Sequence, residues 1–209
     1  MTESSSDINL SLTNVWRSWV AFRAGKKPSR EITAFELSLE YNLLRLCADL
    51  NNGEYVHGKY THRIVNDRKR RDIAVAAVRD RVVHRLLYEY LVPIVDPKLD
   101  YDVWSCRKGK GLHQAINRTA LLTNRYSRAW IWRADISKFF DSVNHDTLRD
   151  CLKQHISHSQ ALILLDKVVD SYNLQLDRQT DRQTDTAQRG HSDRQFDQSN
   201  IRQHLLERV

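Results

Sequence analysis

One aspartate stands out because of the residues around it. Asp135 lies near the end of residues 129–136, whose aromatic and β-branched side chains are typical of a buried strand. A carboxylate held at the end of a rigid strand can bind a divalent cation such as Mg²⁺ or Mn²⁺, and such ions activate a hydroxyl nucleophile and neutralise phosphate charge. The alternative role for Asp135 is to cap the turn that begins at Ser137.

Basic residues form the second group of candidates. The chain has a net charge of +7, which predicts a polyanionic partner such as nucleic acid, although an ordinary solvated surface remains an alternative. Many of the positive charges fall in one short stretch, namely Arg63, Arg68, Lys69, Arg70, Arg71, Arg79, Arg81 and Arg85.

Two local patterns predict how these charges are displayed. Residues 60–65 and 72–78 alternate in polarity around the polar run 66–71, which predicts an antiparallel hairpin with a basic tip. Residues 108–111, Lys-Gly-Lys-Gly, predict a flexible basic loop that opens onto a helix beginning near Leu112. We refer to residues 108–111 below as the Lys-Gly loop.

Helical periodicity accounts for most of the remaining chain. A capping pair, Thr33 and Glu36, precedes apolar residues at helical spacing, and residues 51–53 supply the stop. Asn144 predicts the start of another helix. Apolar spacing predicts helices near residues 16–22, 82–94, 112–122 and 161–169, the second of them ended by Pro93 and Pro97. These elements predict an α+β fold, rich in helix, with a small antiparallel hairpin.

Several motifs together resemble those of reverse transcriptases. Residues 132–145 (Trp-Arg-Ala-Asp-Ile-Ser-Lys-Phe-Phe-Asp-Ser-Val-Asn-His) resemble the first palm motif of that family. Residues 69–73, 79–84 and 105–113 resemble the fingers of bacterial reverse transcriptases related to group II intron and diversity-generating retroelement enzymes. Their order and spacing match over roughly Phe22 to Ile156, and their co-occurrence is more specific than any one of them.

The resemblance implies a role for each candidate around the active site. It implies that Asp135 is the catalytic, metal-binding carboxylate and that the main-chain carbonyl of Ile136 is a further ligand. Phe140 matches the aromatic residue that excludes a ribose 2′-hydroxyl, although it could also belong to the core. Arg71 and Lys69 would hold the incoming deoxynucleoside triphosphate, since guanidinium and ammonium groups both bind phosphate oxygens.

The expected macromolecular partners are an RNA template and a DNA primer. Their backbones would contact a further set of basic residues in a salt-sensitive manner. Three histidines in the matching motifs, His84, His113 and His145, are expected only to fix helix starts through hydrogen bonds. The expected backbone contacts are Arg79, Arg81, Arg107, Lys108 and Lys110.

One part of the family pattern is missing. Family members carry a second palm motif with paired aspartates, and this sequence contains no Asp-Asp pair. A single carboxylate cannot hold two hard cations for in-line displacement, so we expect a truncated enzyme that is inactive by itself. A non-catalytic RNA- or DNA-binding remnant of a retroelement protein, or a decayed fragment that aggregates, would be the alternatives.

The resemblance and the composition divide the chain into four parts. We expect an N-terminal extension at residues 1–30, fingers at 31–125, a partial palm at 126–173, and a low-complexity tail at 174–209, disordered or at most loosely helical, in which Asp-Arg-Gln-Thr is repeated. The absence of a long apolar run and of a leader-like amino terminus predicts a cytoplasmic protein that does not enter membranes. Three widely separated cysteines predict neither disulfides nor a zinc site, and we expect their thiols in or near a core.

Overall fold

The computed structural model describes residues 7–66, 70–136 and 139–184, and the side chains of 71, 140, 141 and 172–184 lie outside this description. The chain divides into two units, Met1–Tyr172 and Asn173–Val209, of which the second is described only for helical residues 173–184. The elements are α1 (Leu12–Arg23), α2 (Arg30–Glu36), α3 (Leu39–Asn51), β1 (Thr61–Asn66), β2 (Arg70–Val75), α4 (Val78–Val95), α5 (Leu112–Arg125), α6 (Phe139–Ser142), α7 (His145–Lys153) and α8 (Ser159–Thr184).

The strands form the predicted hairpin. β1 and β2 pair in antiparallel register, from Thr61 opposite Val75 to Asn66 opposite Arg70. Every residue of β1 is exposed to solvent, so the hairpin projects from the helices rather than covering them. The prediction of a helix-rich α+β fold with one small antiparallel hairpin is confirmed.

The core lies where α1, α3 and α4 meet. Val15, Leu46 and Val82 are completely inaccessible to solvent, and each such side chain contributes about 1.5–3 kcal/mol through its burial. Other side chains buried in the same cluster include Trp19, Phe22, Ile32, Leu43, Leu50, Tyr55, Val83, Leu86, Leu87, Ile156, Ala161 and Leu164. Trp16, by contrast, remains 47% exposed on the outer side of α1.

Local capping explains where several helices begin. The Asn144 side chain accepts a hydrogen bond from the Thr147 amide at 2.9 Å, which confirms it as the cap of α7. The single helix expected from Thr33 is two helices. The first, α2, begins earlier, because the Ser29 side chain accepts a hydrogen bond from the Ile32 amide at 3.3 Å, and helical structure is interrupted between Glu36 and Leu39. α3 ends as predicted at residues 51–53, where Gly53 has a φ of 73°.

The predicted strand at residues 129–136 is wrong. These residues adopt no regular secondary structure, and Trp130 and Trp132 are 100% and 89% exposed. A strand requires a hydrogen-bonded neighbour, and in the described ranges β1 and β2 pair only with each other. The aromatic side chains of this segment therefore form exposed apolar surface and are not part of the core.

The end of α4, the tail and the cysteines each agree with the predictions only in part. α4 continues through Pro93 and ends at Val95, where a 3-10 turn follows. The repetitive tail is helical to Thr184, and its remaining residues lie outside the described part. The cysteines are free thiols, but only Cys47 is partly buried, whereas Cys106 and Cys151 are exposed. None of the helices in the described part of the chain is long and apolar enough to cross a membrane.

Candidate nucleic-acid interface and metal ligand

Asp135 is open to solvent. Its carboxylate accepts a hydrogen bond from the amide of Ile136 at 3.0 Å, and Ile136 is itself 61% exposed. Among the described residues, no three His, Cys, Asp or Glu side chains come together as a metal site would require. Asp135 can therefore offer one carboxylate to a cation, but the rest of a coordination sphere would have to come from elsewhere.

An apolar surface leads up to this aspartate. Trp130, Ile131 and Trp132 are exposed one after another, and Leu112 and Ile116 of α5 are exposed as well. An open groove of about 1070 Å³ runs along α5 and is bordered by Arg133. Contiguous exposed apolar residues of this kind mark interaction surfaces in folded proteins.

Of the predicted triphosphate-binding residues, Arg71 belongs to β2 of the hairpin. Arg71 pairs in register with Val65, but its side chain, Lys69 and the side chain of Phe140 lie outside the described part of the structure. The nucleotide-binding roles of these three residues therefore stay predictions. On the opposite strand, β1, Arg63 forms an ion pair with Glu31 of α2.

The arginines at the start of α4 are held by acidic residues of the fold. Arg79 contacts Asp49 at 2.6 Å and donates to the carbonyl oxygen of Val56 at 3.2 Å. Arg81 contacts Glu31 at 3.1 Å. Because these guanidinium groups already have carboxylate partners, a nucleic-acid phosphate would have to compete for them.

A buried polar cluster, which local sequence patterns do not predict, lies beneath these arginines. Asp80 is 1% exposed, and its carboxylate accepts hydrogen bonds from the Tyr55 hydroxyl at 2.9 Å and from the Gly58 amide at 3.1 Å. Arg79 supplies the nearest described cationic group, 3.9 Å away. Burial and the adjacent Asp80 raise the pKa of Tyr55 far above its ordinary value.

Two histidines extend this cluster. Nδ1 of His57 lies 2.7 Å from the carbonyl oxygen of Gly58, which can only accept, so this nitrogen carries the proton. Nε2 of His57 is then the acceptor for Nε2–H of His84 at 3.0 Å. Burial, followed by the nearby His57, lowers the pKa of His84 to about 4. His84 thus contributes a neutral ring to a buried hydrogen-bond chain, within α4 rather than at its start.

The Lys-Gly loop is organised by Arg107. Its guanidinium donates to both carboxylate oxygens of Asp96, at 2.7 and 3.2 Å, and to the carbonyl oxygens of Asp100 and Val103. The hydrogen bonds from Arg107 lower the pKa of Asp96. Arg107 is therefore engaged in shaping the loop rather than presented to a partner.

The two lysines of the loop differ in their surroundings. Lys110 donates to the carbonyl oxygen of Tyr101, and its ammonium group lies 4.3 and 4.9 Å from the ring centres of Tyr101 and Trp104. Lys108 is exposed beside Gly109, whose φ of 75° forms the turn. Of the basic residues in this loop, Lys108 is the one presented to solvent.

Comparisons with known proteins give two distant matches. No protein-family model matches the chain. Protein YkfC of Escherichia coli strain K12 is 25% identical over 138 residues, which make up 64% of this chain and 36% of YkfC. Nuclear intron maturase 1, a mitochondrial protein of Arabidopsis thaliana, is 24% identical over 117 residues, which make up 56% of this chain and 15% of the maturase.

The maturase match gives the chain a distant link to retroelement-related proteins. The aligned part covers only a minor share of either relative, so the activities and partners of those whole proteins are not transferred to this chain. The described site itself offers one exposed carboxylate, an exposed apolar groove and basic side chains on a projecting hairpin and a loop.

Proposed function

We propose that the chain forms the fingers and the first part of the palm of an RNA-directed DNA polymerase and is inactive by itself. The observation that carries this proposal is the placement of Asp135. Its exposed carboxylate follows an exposed aromatic segment without regular secondary structure and precedes α6 and the capped helix α7, in the order of the residues that resemble the first palm motif. The distant similarity to an intron maturase supports the same class of protein.

The catalytic roles follow from the chemistry of each group. Asp135 and the carbonyl of Ile136 would contribute two oxygen ligands to Mg²⁺ or Mn²⁺, which is short of a complete site for either ion. Lys69 and Arg71 would bind the triphosphate, and Phe140 would exclude a ribose 2′-hydroxyl. Nucleotidyl transfer therefore requires carboxylates that this sequence does not supply.

The template and primer would lie against the basic hairpin and the Lys-Gly loop. Lys108 is the direct phosphate contact in this proposal because it is exposed, whereas Arg107 and Lys110 hold the loop in shape. Arg79 and Arg81 add positive potential while remaining paired with acidic side chains. Binding of this kind depends on counterion release and weakens as salt rises.

Fluorescence anisotropy with a DNA-primed RNA template tests the binding part of the proposal. We expect affinity to fall steeply with salt, and Lys108→Gln should reduce the slope of log K against log salt by about one. Lys153→Gln on α7, which removes the same charge from another exposed position, is the matched control. Equal losses in both variants, or no binding by the wild type, would contradict a localised template contact.

Primer extension tests the catalytic part. With primed RNA, deoxynucleoside triphosphates and Mg²⁺ or Mn²⁺, the chain alone should incorporate no nucleotide above background. Incorporation that persists in Asp135→Asn would contradict the role assigned to Asp135. Incorporation abolished by Asp135→Asn would support that role and overturn the expectation that the chain is inactive by itself.

A second candidate function is non-catalytic binding of RNA or DNA. The described residues favour it by combining exposed basic side chains with no three-residue metal-binding group. It predicts that the affinity for primed RNA is the same with and without Mg²⁺ and that Asp135→Asn does not change this independence of Mg²⁺. The polymerase proposal predicts a Mg²⁺-dependent increase in affinity that Asp135→Asn reduces.

A further inference from the structure

The hairpin has little packing of its own to fix its position. β1 is exposed throughout, and a two-stranded hairpin is at best marginally stable in isolation. Its orientation therefore depends on its two connections to the helices, together with the ion pair between Arg63 of β1 and Glu31 of α2. Residues 53–60 lead into β1, and β2 leads through Ala76 and Ala77 directly into α4.

Asp80 joins these two connections. It lies in the first turn of α4, just after the exit from β2, and it accepts hydrogen bonds from Tyr55 and Gly58 in the entry segment. The space around the carboxylate is tight, because a Cβ atom added to Gly58 would lie 2.8 Å from Asp80 Oδ2. Entry and exit of the hairpin are thus held against one buried group.

Further bonds hold the same entry segment in place. His84, one turn beyond Asp80, donates to His57, whose ring also stacks on Tyr60 at 4.9 Å. From the other side, Lys167 of α8 donates to the carbonyl oxygens of Gly53 and Tyr55 at 2.7 and 2.8 Å. The segment is therefore held at several points, and its most buried residue, Tyr55, is the one that donates to Asp80.

We propose that Asp80 is a positioning residue that sets the orientation of the β1–β2 hairpin by bonding its entry segment to the start of α4. The consequence of this positioning for nucleic-acid binding rests on the proposed function, in which the template and primer lie against the hairpin and Arg71 of β2 binds the triphosphate. Asp80 itself is 1% exposed and does not touch the partner.

The substitution Asp80→Asn separates this role from general stability. An amide keeps the shape of the side chain but removes the charge from its oxygen. Its NH₂ group either leaves the Gly58 amide without an acceptor or turns the Tyr55 hydroxyl into an acceptor, so the two bonds to a charged carboxylate are lost in either orientation. Hydrogen exchange of the β1–β2 amides should become on the order of tenfold faster, whereas exchange in the buried parts of α3 and α4 stays unchanged. Asp150→Asn, an exposed position on α7 with the same change of charge, should alter neither.

The affinity for primed RNA is a second readout, and the direction in which it changes distinguishes the two variants. Both variants raise the net charge by one, which by itself should hold or increase RNA affinity. We expect Asp80→Asn to bind more weakly than the wild type, by at least about threefold, and Asp150→Asn to bind as well or better.

The outcomes are distinct. Unchanged hairpin exchange in Asp80→Asn, or equal acceleration of hairpin and core amides, would overturn the positioning role. Faster hairpin exchange in a chain whose wild type binds no RNA would support the positioning role and refute the proposed function. If Asp80→Asn does not fold, Tyr55→Phe removes one donor and leaves the carboxylate intact, and the same exchange pattern, at smaller amplitude, is required of it.

Discussion

Tyr55 and Asp80 are 25 residues apart in the chain and are joined by a hydrogen bond of 2.9 Å that is almost completely buried. This bond connects the segment after α3 to the first turn of α4, on either side of the hairpin. A buried carboxylate that accepts two hydrogen bonds stabilises one arrangement of the chain, because any other arrangement leaves polar groups unpaired.

Gly58 is predicted to tolerate no side chain. In Gly58→Ala the new Cβ would lie 2.8 Å from Asp80 Oδ2, so the entry segment or the carboxylate would have to move. We expect the free energy of unfolding to fall by about 1–3 kcal/mol, measured by urea denaturation. Gly111→Ala is the control, since Gly111 has a φ of −138° and no atom within 4 Å of the added Cβ. Equal stabilities of the two variants would show that the close approach at Gly58 is relieved at no cost.

The buried His84 predicts a specific pH dependence of stability. Burial and His57 lower the pKa of His84 from 6.5 to about 4, so between these values the unfolded chain binds a proton that the folded chain does not. Protonation of His84 therefore does not affect the free energy of unfolding above about pH 6.5. As the pH falls from there toward about 4, it lowers the free energy of unfolding by up to about 3 kcal/mol.

Urea denaturation of His84→Gln tests this pH dependence. The variant should lose less stability than the wild type between neutral pH and about pH 4, because glutamine does not titrate but can still donate to His57. His155→Gln removes an exposed histidine and should follow the wild type. Parallel pH profiles for wild type and His84→Gln would contradict the depressed pKa.

The Lys-Gly loop is predicted to depend on the shape of one guanidinium group. Arg107→Lys keeps the charge but cannot reach both oxygens of Asp96 and the carbonyls of Asp100 and Val103 at once. We expect faster hydrogen exchange and easier proteolysis across residues 99–111, while the helical core keeps its protection. Lys108→Arg, an exposed neighbour, should leave both readouts unchanged. Intact protection of the loop in Arg107→Lys would show that Arg107 does not organise it.

The parts of the fold that sequence reasoning predicted correctly are those with local causes. Asn144 caps α7 through an amide three residues away, and the hairpin forms between neighbouring segments with alternating polarity. Helical spacing likewise identified the buried side of α3. Such signals lie within a few residues of the structure that they produce.

The features that local sequence patterns do not predict come from contacts between distant residues. Arg79 and Arg81 are paired with Asp49 and Glu31, which lie 30 and 50 residues away in the chain. The buried cluster around Asp80 was missed for the same reason. The segment 129–136 has strand-like composition but no partner strand in the described residues, and composition cannot supply one.

The most direct measurement of the central claim is Mn²⁺-induced broadening of amide NMR signals in the complex with primed RNA and a deoxynucleoside triphosphate. Broadening should be strongest at Asp135 and Ile136, should be lost in Asp135→Asn, and should persist in Asp150→Asn. If no broadening occurs near Asp135, or if it is the same in Asp135→Asn, then Asp135 is not a metal ligand and the polymerase proposal is contradicted.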